Sequence, residues 1–136
     1  MNKIINSLIF CAMVLFSMHT YAADDNGAVD DYAYFGFEPD IITNYLSEGR
    51  SLGYVRITME LMVKSPDDLA MIEHHAPLLR AAVVEILGEQ TEERIKSMSG
   101  KEEIRDLCFE TVNRLLKEET GKELAVSLLF TKYLYQ

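Results

Sequence analysis

The sequence predicts an α+β domain: a small antiparallel or mixed sheet covered on one face by two main helices, after an N-terminal signal or anchor. Three observations predict it. Val55, Ile57, Met59, Leu61 and Val63 alternate with Tyr54, Arg56, Thr58, Glu60 and Lys64, only Met62 falling out of pattern; a period of two belongs to a half-buried strand. Two later stretches repeat apolar residues every three or four positions, each opened by a serine and closed by a glycine, as helices are. Aromatic and β-branched residues crowd the segments before the first helix and after the second, which favours extended chain there.

The leader comes first. Met1 to Lys3 is a short positive start, Ile4 to Met18 is uncharged and mostly apolar, and Thr20 and Ala22 place small residues before a cut after Ala22. Residues 1–22 therefore read as a secretory signal. Left uncut, Ile4 to Ala23 has about the length of a bilayer span and the same segment is a membrane anchor. Either way, everything after Asp24 is expected outside the cytoplasm. Residues 23–33 hold four aspartates and a glycine, which reads as a flexible acidic linker. Residues 34–136 form the folded domain.

Within that domain, Tyr34 to Phe37 and Ile41 to Leu46 are extended, and Pro39 between them marks an edge or a break because it cannot donate to a ladder. Ser47 to Gly53 reverses the chain. The alternating strand follows, its register firm because a slip of one residue would expose all five inward side chains. Ser65-Pro66-Asp67-Asp68 starts a helix: a hydroxyl to cap, proline in the first turn, and two carboxylates at the positive end. Its apolar stripe is Leu69, Ile72, Ala76, Leu79, Val83 and Ile86, and Gly88 fits its end. Pro77 lies inside the stripe and is expected to kink or split the helix.

Thr91 to Met98 reads as a short helical turn. Ser99-Gly100-Lys101-Glu102 reads as a second capping box, opening a helix whose stripe is Ile104, Leu107, Cys108, Val112, Leu115 and Leu116 and whose stop is Gly121. Glu110 and Arg114, four apart in the favourable order, are expected to decorate its solvated face. Leu124 to Gln136 is a final strand, its register left open by the consecutive Leu128, Leu129 and Phe130.

The 136 residues include 13 Lys and Arg against 22 Asp and Glu, a formal charge of −9. Nucleic-acid binding needs the opposite sign, and the same charge disfavours docking on anionic lipid. Nearly half the residues are apolar, which argues against wholesale disorder. Two cysteines make no disulfide framework, and cleavage would leave Cys108 alone, best preserved by burial.

Catalytic chemistry finds little to build on. Glu73-His74-His75 is the one histidine cluster after the leader. Metal-binding histidines on a helix recur at three or four residues, whereas neighbours diverge by about 100°. Ordinary surface histidines are the expectation. Cys108 shares a stripe with Ile104, Val112 and Leu115, where burial keeps a thiol protonated. Asp67-Asp68 caps a helix, and Glu92-Glu93 and Glu118-Glu119 belong to charged runs. Met59, Met62 and Met71 are spaced for packing rather than for copper. There is no nucleophile elbow, phosphate loop or dinucleotide fingerprint. No catalytic, cofactor-binding or metal-ligating residue is expected, and no cofactor.

The run Val126 to Gln136, preceded by Gly121, resembles the closing strand of the FliL family of flagellar basal-body proteins. Tyr34 to Leu46, with Pro39 and Asn44, is similar to that family's opening strand, and Tyr54 to Val63 to its long alternating strand. Ser65-Pro66 resembles the step into its first helix, His75-Ala76-Pro77-Leu78-Leu79-Arg80 its proline-containing helix, and Ser99-Gly100-Lys101-Glu102 the opening of the next. The resemblance implies a non-enzymatic accessory protein with a stomatin/prohibitin-like domain on the periplasmic side of the inner membrane. It further implies flagellar stator proteins as partners, assembly of copies into a ring, and support of motility and chemotaxis. One departure stands out: the family normally keeps a longer cytoplasmic start and an anchor, whereas three residues precede the leader here. Cleavage after Ala22 would give a soluble periplasmic form. The alternative reading is a periplasmic binding or inhibitor domain of another system that shares the fold.

Overall fold

The computed structural model describes residues 31–49 and 52–136; the expected signal or anchor over 1–22 and most of the linker over 23–33 lie outside the described residues. Strand β1 (Ala33–Gly36) and strand β2 (Ile41–Tyr45) both run antiparallel to β3 (Gly53–Val63). They share one side of it: β1 pairs Ala33 with Val63, β2 pairs Ile41 with Ile57 and Tyr45 with Gly53. The corner between them holds Pro39, yet Phe37 still donates its N–H to the Met59 carbonyl at 2.9 Å. Strand β4 (Ala125–Tyr135) takes the other side of β3, again antiparallel. Between β3 and β4 come a 3-10 turn (Pro66–Asp68), α1 (Leu69–Gly88), the short α2 (Glu92–Lys96) and α3 (Met98–Thr120). This is the predicted α+β fold, with every strand pairing antiparallel.

Alternation in β3 sets the core. Val55, Ile57, Met59, Leu61 and Val63 are all 0% exposed, each worth roughly 1.5–3 kcal/mol when its side chain leaves water. Over them α1 packs against β1 and β2, α3 packs against β4, and the two helices pack on each other. Ile72, Leu79, Val83, Ile104, Cys108 and Val112 close the layer from above. The expected α3 stripe is narrower than predicted: Leu107 is 39% exposed and Leu115 only half-buried.

Irregular pairing resolves the register of β4. Thr58 faces Lys132 but Met59 faces Phe130, and Met62 faces Ser127 but Val63 faces Ala125. Thr131 and Val126 are therefore extra residues, and each bulge shifts the alternation by one. The unevenly spaced Ala125, Leu128, Phe130 and Tyr133 thereby all pack on the core, while Leu129 is exposed. At the strand's start the Asn113 carboxamide of α3 stands in for a neighbouring strand. Its Nδ2 donates to the Ala125 carbonyl (2.9 Å) and its Oδ1 accepts the Ala125 N–H (3.0 Å). That blunts one stretch of the sheet edge.

Two local expectations are corrected. Pro77 does not split its helix, which runs through it as the 20-residue α1; the ring is exposed and forfeits only the bond its own N–H would have made to Glu73. The cap of α3 is Ser97, whose hydroxyl accepts the Gly100 N–H at 3.1 Å, rather than Ser99. The cause is steric: a Cβ on Gly100 would run into the Arg94 carbonyl, so α2 and α3 meet at a distance that only glycine permits, and the helix starts upstream of it. Glu110 and Arg114 are both exposed on the solvated face as expected, where Arg114 pairs with Glu118 at 2.9 Å. Elsewhere the punctuation stands. The Ser65 hydroxyl accepts the Asp67 N–H at 3.2 Å, α1 ends at Gly88, and Gly121 terminates α3 at φ 78°, where only glycine is at ease.

Candidate functional site

The sequence-derived candidates for chemistry are scattered. His74 and His75 lie on α1 with rings edge to face at 4.9 Å. Cys108 is buried under α3, and desolvation pushes its thiol up to about 12, far from a nucleophile's range. Asp67 and Asp68 occupy the first turn before α1. Glu92 binds Lys96 and the Ser47 hydroxyl, and these two contacts, the lysine's first, lower its pKa. Glu118 is engaged by Arg114. Among the described residues, no group of three or more His, Cys, Asp or Glu side chains is placed to hold a metal ion. No described helix is long and apolar enough to cross a membrane.

Side chains instead gather on the sheet face opposite the helices. Alternation turns Tyr34, Ile42, Tyr54 and Leu134 outward, each about half exposed (55%, 59%, 47% and 54%). Cross-strand pairing sets Ile42 and Leu134 on either side of Arg56, and Tyr34 against Met62. Tyr54, Ile42 and Leu134 thus lie around Arg56 near the start of β3, while Tyr34 lies toward its other end.

An ionic knot holds the middle of this face. Asp40, at the corner before β2, accepts from the Thr58 hydroxyl at 2.7 Å and the Arg56 Nε at 2.6 Å, and Lys132 lies 3.8 Å away on β4. These contacts, the Thr58 hydroxyl's first and the Arg56 bond's next, hold the Asp40 carboxyl below the usual carboxylate range. The knot ties three strands together on the solvent side. Sequence reasoning placed Arg56 and Thr58 on the outer face but passed over Asp40, which belongs to no periodic segment; its only local signal was the position after Pro39.

At the far end of the face the last residue is fixed. Gln136 and Tyr54 exchange both backbone hydrogen bonds (2.9 and 3.1 Å), and the Tyr45 hydroxyl donates to the Gln136 carbonyl at 3.0 Å. On the helix side, Tyr133 donates to the Ile95 carbonyl at 3.2 Å; burial is the main cause that pushes its phenol up to about 12. Near the other end of α1, the Gln90 side chain donates to Ile86 at 2.6 Å while its Oε1 is buried without a protein partner.

One face of the sheet is covered by helices, and the other presents exposed apolar side chains around an ion-paired centre. The family follows from comparison with known proteins: the model described as "Flagellar basal body-associated protein FliL" matches residues 34–136, and the chain belongs to that family. The "Flagellar protein FliL" of Aquifex aeolicus (strain VF5) is 24% identical over 102 residues, covering 75% of this chain and 60% of the relative. The chain thus aligns with less than two-thirds of that relative's length.

Proposed function

We propose that the protein is a non-enzymatic accessory component of the flagellar motor, acting in the periplasm by docking beside the stator and supporting motility and chemotaxis. The carrying observation is the family match over 34–136, which takes in α1 to α3, β2 to β4 and all of β1 but its first residue. A docking role also agrees with the outward apolar residues of the sheet face. Copies assemble head to tail into a ring, a heterologous contact whose rotation closes. Residues 1–22 direct the domain to the periplasmic side, as a cleaved signal or as an anchor.

Deleting the gene in a flagellated host should reduce spreading in soft agar and swimming in viscous medium, and plasmid-borne wild type should restore both. Normal motility in the deletion strain, with no paralogue present, would overturn the reading. The N-terminal residue of the purified protein decides the leader: Ala23 means a soluble product, Met1 a membrane-bound one.

A further inference from the structure

Five large apolar side chains lie bare at one end of the outer sheet face. Ile42 and Leu134 flank Arg56 through the register, and Tyr54 sits one pair further on, opposite Asn44 of β2 and bonded to Gln136. Leu46 and Leu52 continue the group past the Tyr45–Gly53 pair, at 59% and 64% exposure. We propose that this patch packs on the same patch of a second copy, the two related by a twofold axis.

Area carries the first part of the argument. A half-exposed large side chain offers about 100 Å², so the five together offer about 500 Å², near the top of what a monomer leaves bare. That is more than half of the roughly 800 Å² per partner that a standard interface buries. A sheet face also has a ready mode of packing, since two sheets stack about 10 Å apart with their facing side chains interdigitated. A shallow hollow of about 220 Å³ beside Tyr54, Arg56 and Leu134 gives a projecting side chain of the copy a seat.

Charge carries the second part and chooses the occupant. The chain has a formal charge of −9, so copies repel over most of their surface. At this patch the balance differs: Arg56 and Lys132 share the single carboxylate of Asp40. Two copies therefore approach most easily here, and because the knot holds both signs, a copy turned by 180° meets it with opposite ones. A lipid surface is the poorer occupant, since it would strip water from these ion pairs and return no hydrogen bond. The contact is isologous and stops at two copies, unlike the head-to-tail contact of a ring. Any other protein that docks on this face competes with the second copy. The inference goes beyond the flagellar reading and is measured without a motor, so its failure and a failure of the motility test are read apart.

Sedimentation velocity of the full chain, as purified from the expressing cells, should show a reversible monomer–dimer equilibrium centred between about 1 and 100 µM. Ile42→Lys/Leu134→Lys should weaken it at least about tenfold, and so should Ile42→Glu/Leu134→Glu. Both positions are exposed, so circular dichroism should be unchanged. An equimolar mixture of the two variants should pair again, because the same patch stands on both sides of the contact. Met98→Lys, at the exposed start of α3, should change nothing. A wild-type chain that stays monomeric throughout that range would overturn the proposal. Association that survives both variants would place the contact elsewhere, and a mixture that stays monomeric would rule out the twofold. A monomeric chain that floats with phosphatidylcholine vesicles would overturn the second copy in favour of a lipid surface.

Discussion

Asp40 shows how one side chain outside any periodic pattern can organise a surface. Its two oxygens are divided between Thr58 and Arg56, so the carboxylate form is the one the fold prefers, and its pKa is depressed. A depressed folded-state pKa gives stability that is present above the unfolded value and lost as pH falls through the folded one. Asp40→Asn should therefore flatten the loss of thermal stability below about pH 4, where carboxylates in unfolded chains titrate. Near neutrality the variant should be less stable than wild type, with Arg56 and Lys132 left facing each other. Glu92 is depressed too, so acid sensitivity shrinks without vanishing. Melting curves across the acid range for both proteins measure this; parallel curves would mean that the knot is too exposed to matter.

Helix α1 carries an internal cost that packing overcomes. An interior proline costs a helix about 3 kcal/mol through the lost bond and the ring's crowding, yet α1 continues through Pro77 for its 20 residues because Ile72 and Leu79 on either side are fully buried. Pro77→Ala restores the N–H to the Glu73 carbonyl, and since the ring is exposed no core contact is lost. The variant should be more stable in urea unfolding by about 1–3 kcal/mol. A destabilised variant would show that the ring packs better than its exposure suggests. The same element exposes the reach of sequence reasoning. Period and punctuation located β3, the apolar stripe of α1, Gly88 and Gly121, because each is a local preference that tertiary packing left unchanged. Pro77 was given too much weight, since propensity yields to burial. The α3 cap was misplaced by two residues because the Gly100–Arg94 approach is a contact between elements. The bulges at Val126 and Thr131 were invisible for a related reason: a strand's extra residues are defined only against the partner strand, and the partner is β3, more than half the domain away. The sheet-face knot depended on the same pairing.

Completion of the described core waits on β4. Among the described residues β3 is the only strand paired on both sides, and its second side is supplied by β4, from Val63 opposite Ala125 to Val55 opposite Tyr135. The helices cannot finish the core without that strand, because α3 rests on β4 and Leu128 is fully buried beside Leu61. What remains without it is β3 with two short strands on one edge, an open row of backbone donors and acceptors on the other, and an uncovered flank of apolar side chains. A sheet so reduced is marginal in water, and the exposed edge invites pairing between chains. Such distant contacts also come after the loop-closure cost has been met, which slows folding relative to helical domains. A chain ending at Leu124 should therefore show no cooperative transition in heat or urea, retain at most partial helical circular dichroism, and aggregate at concentrations where the full chain stays clear. A sharp, reversible transition in the truncated chain would mean that α1, α3 and three strands suffice, and that β4 is an addition to a finished core.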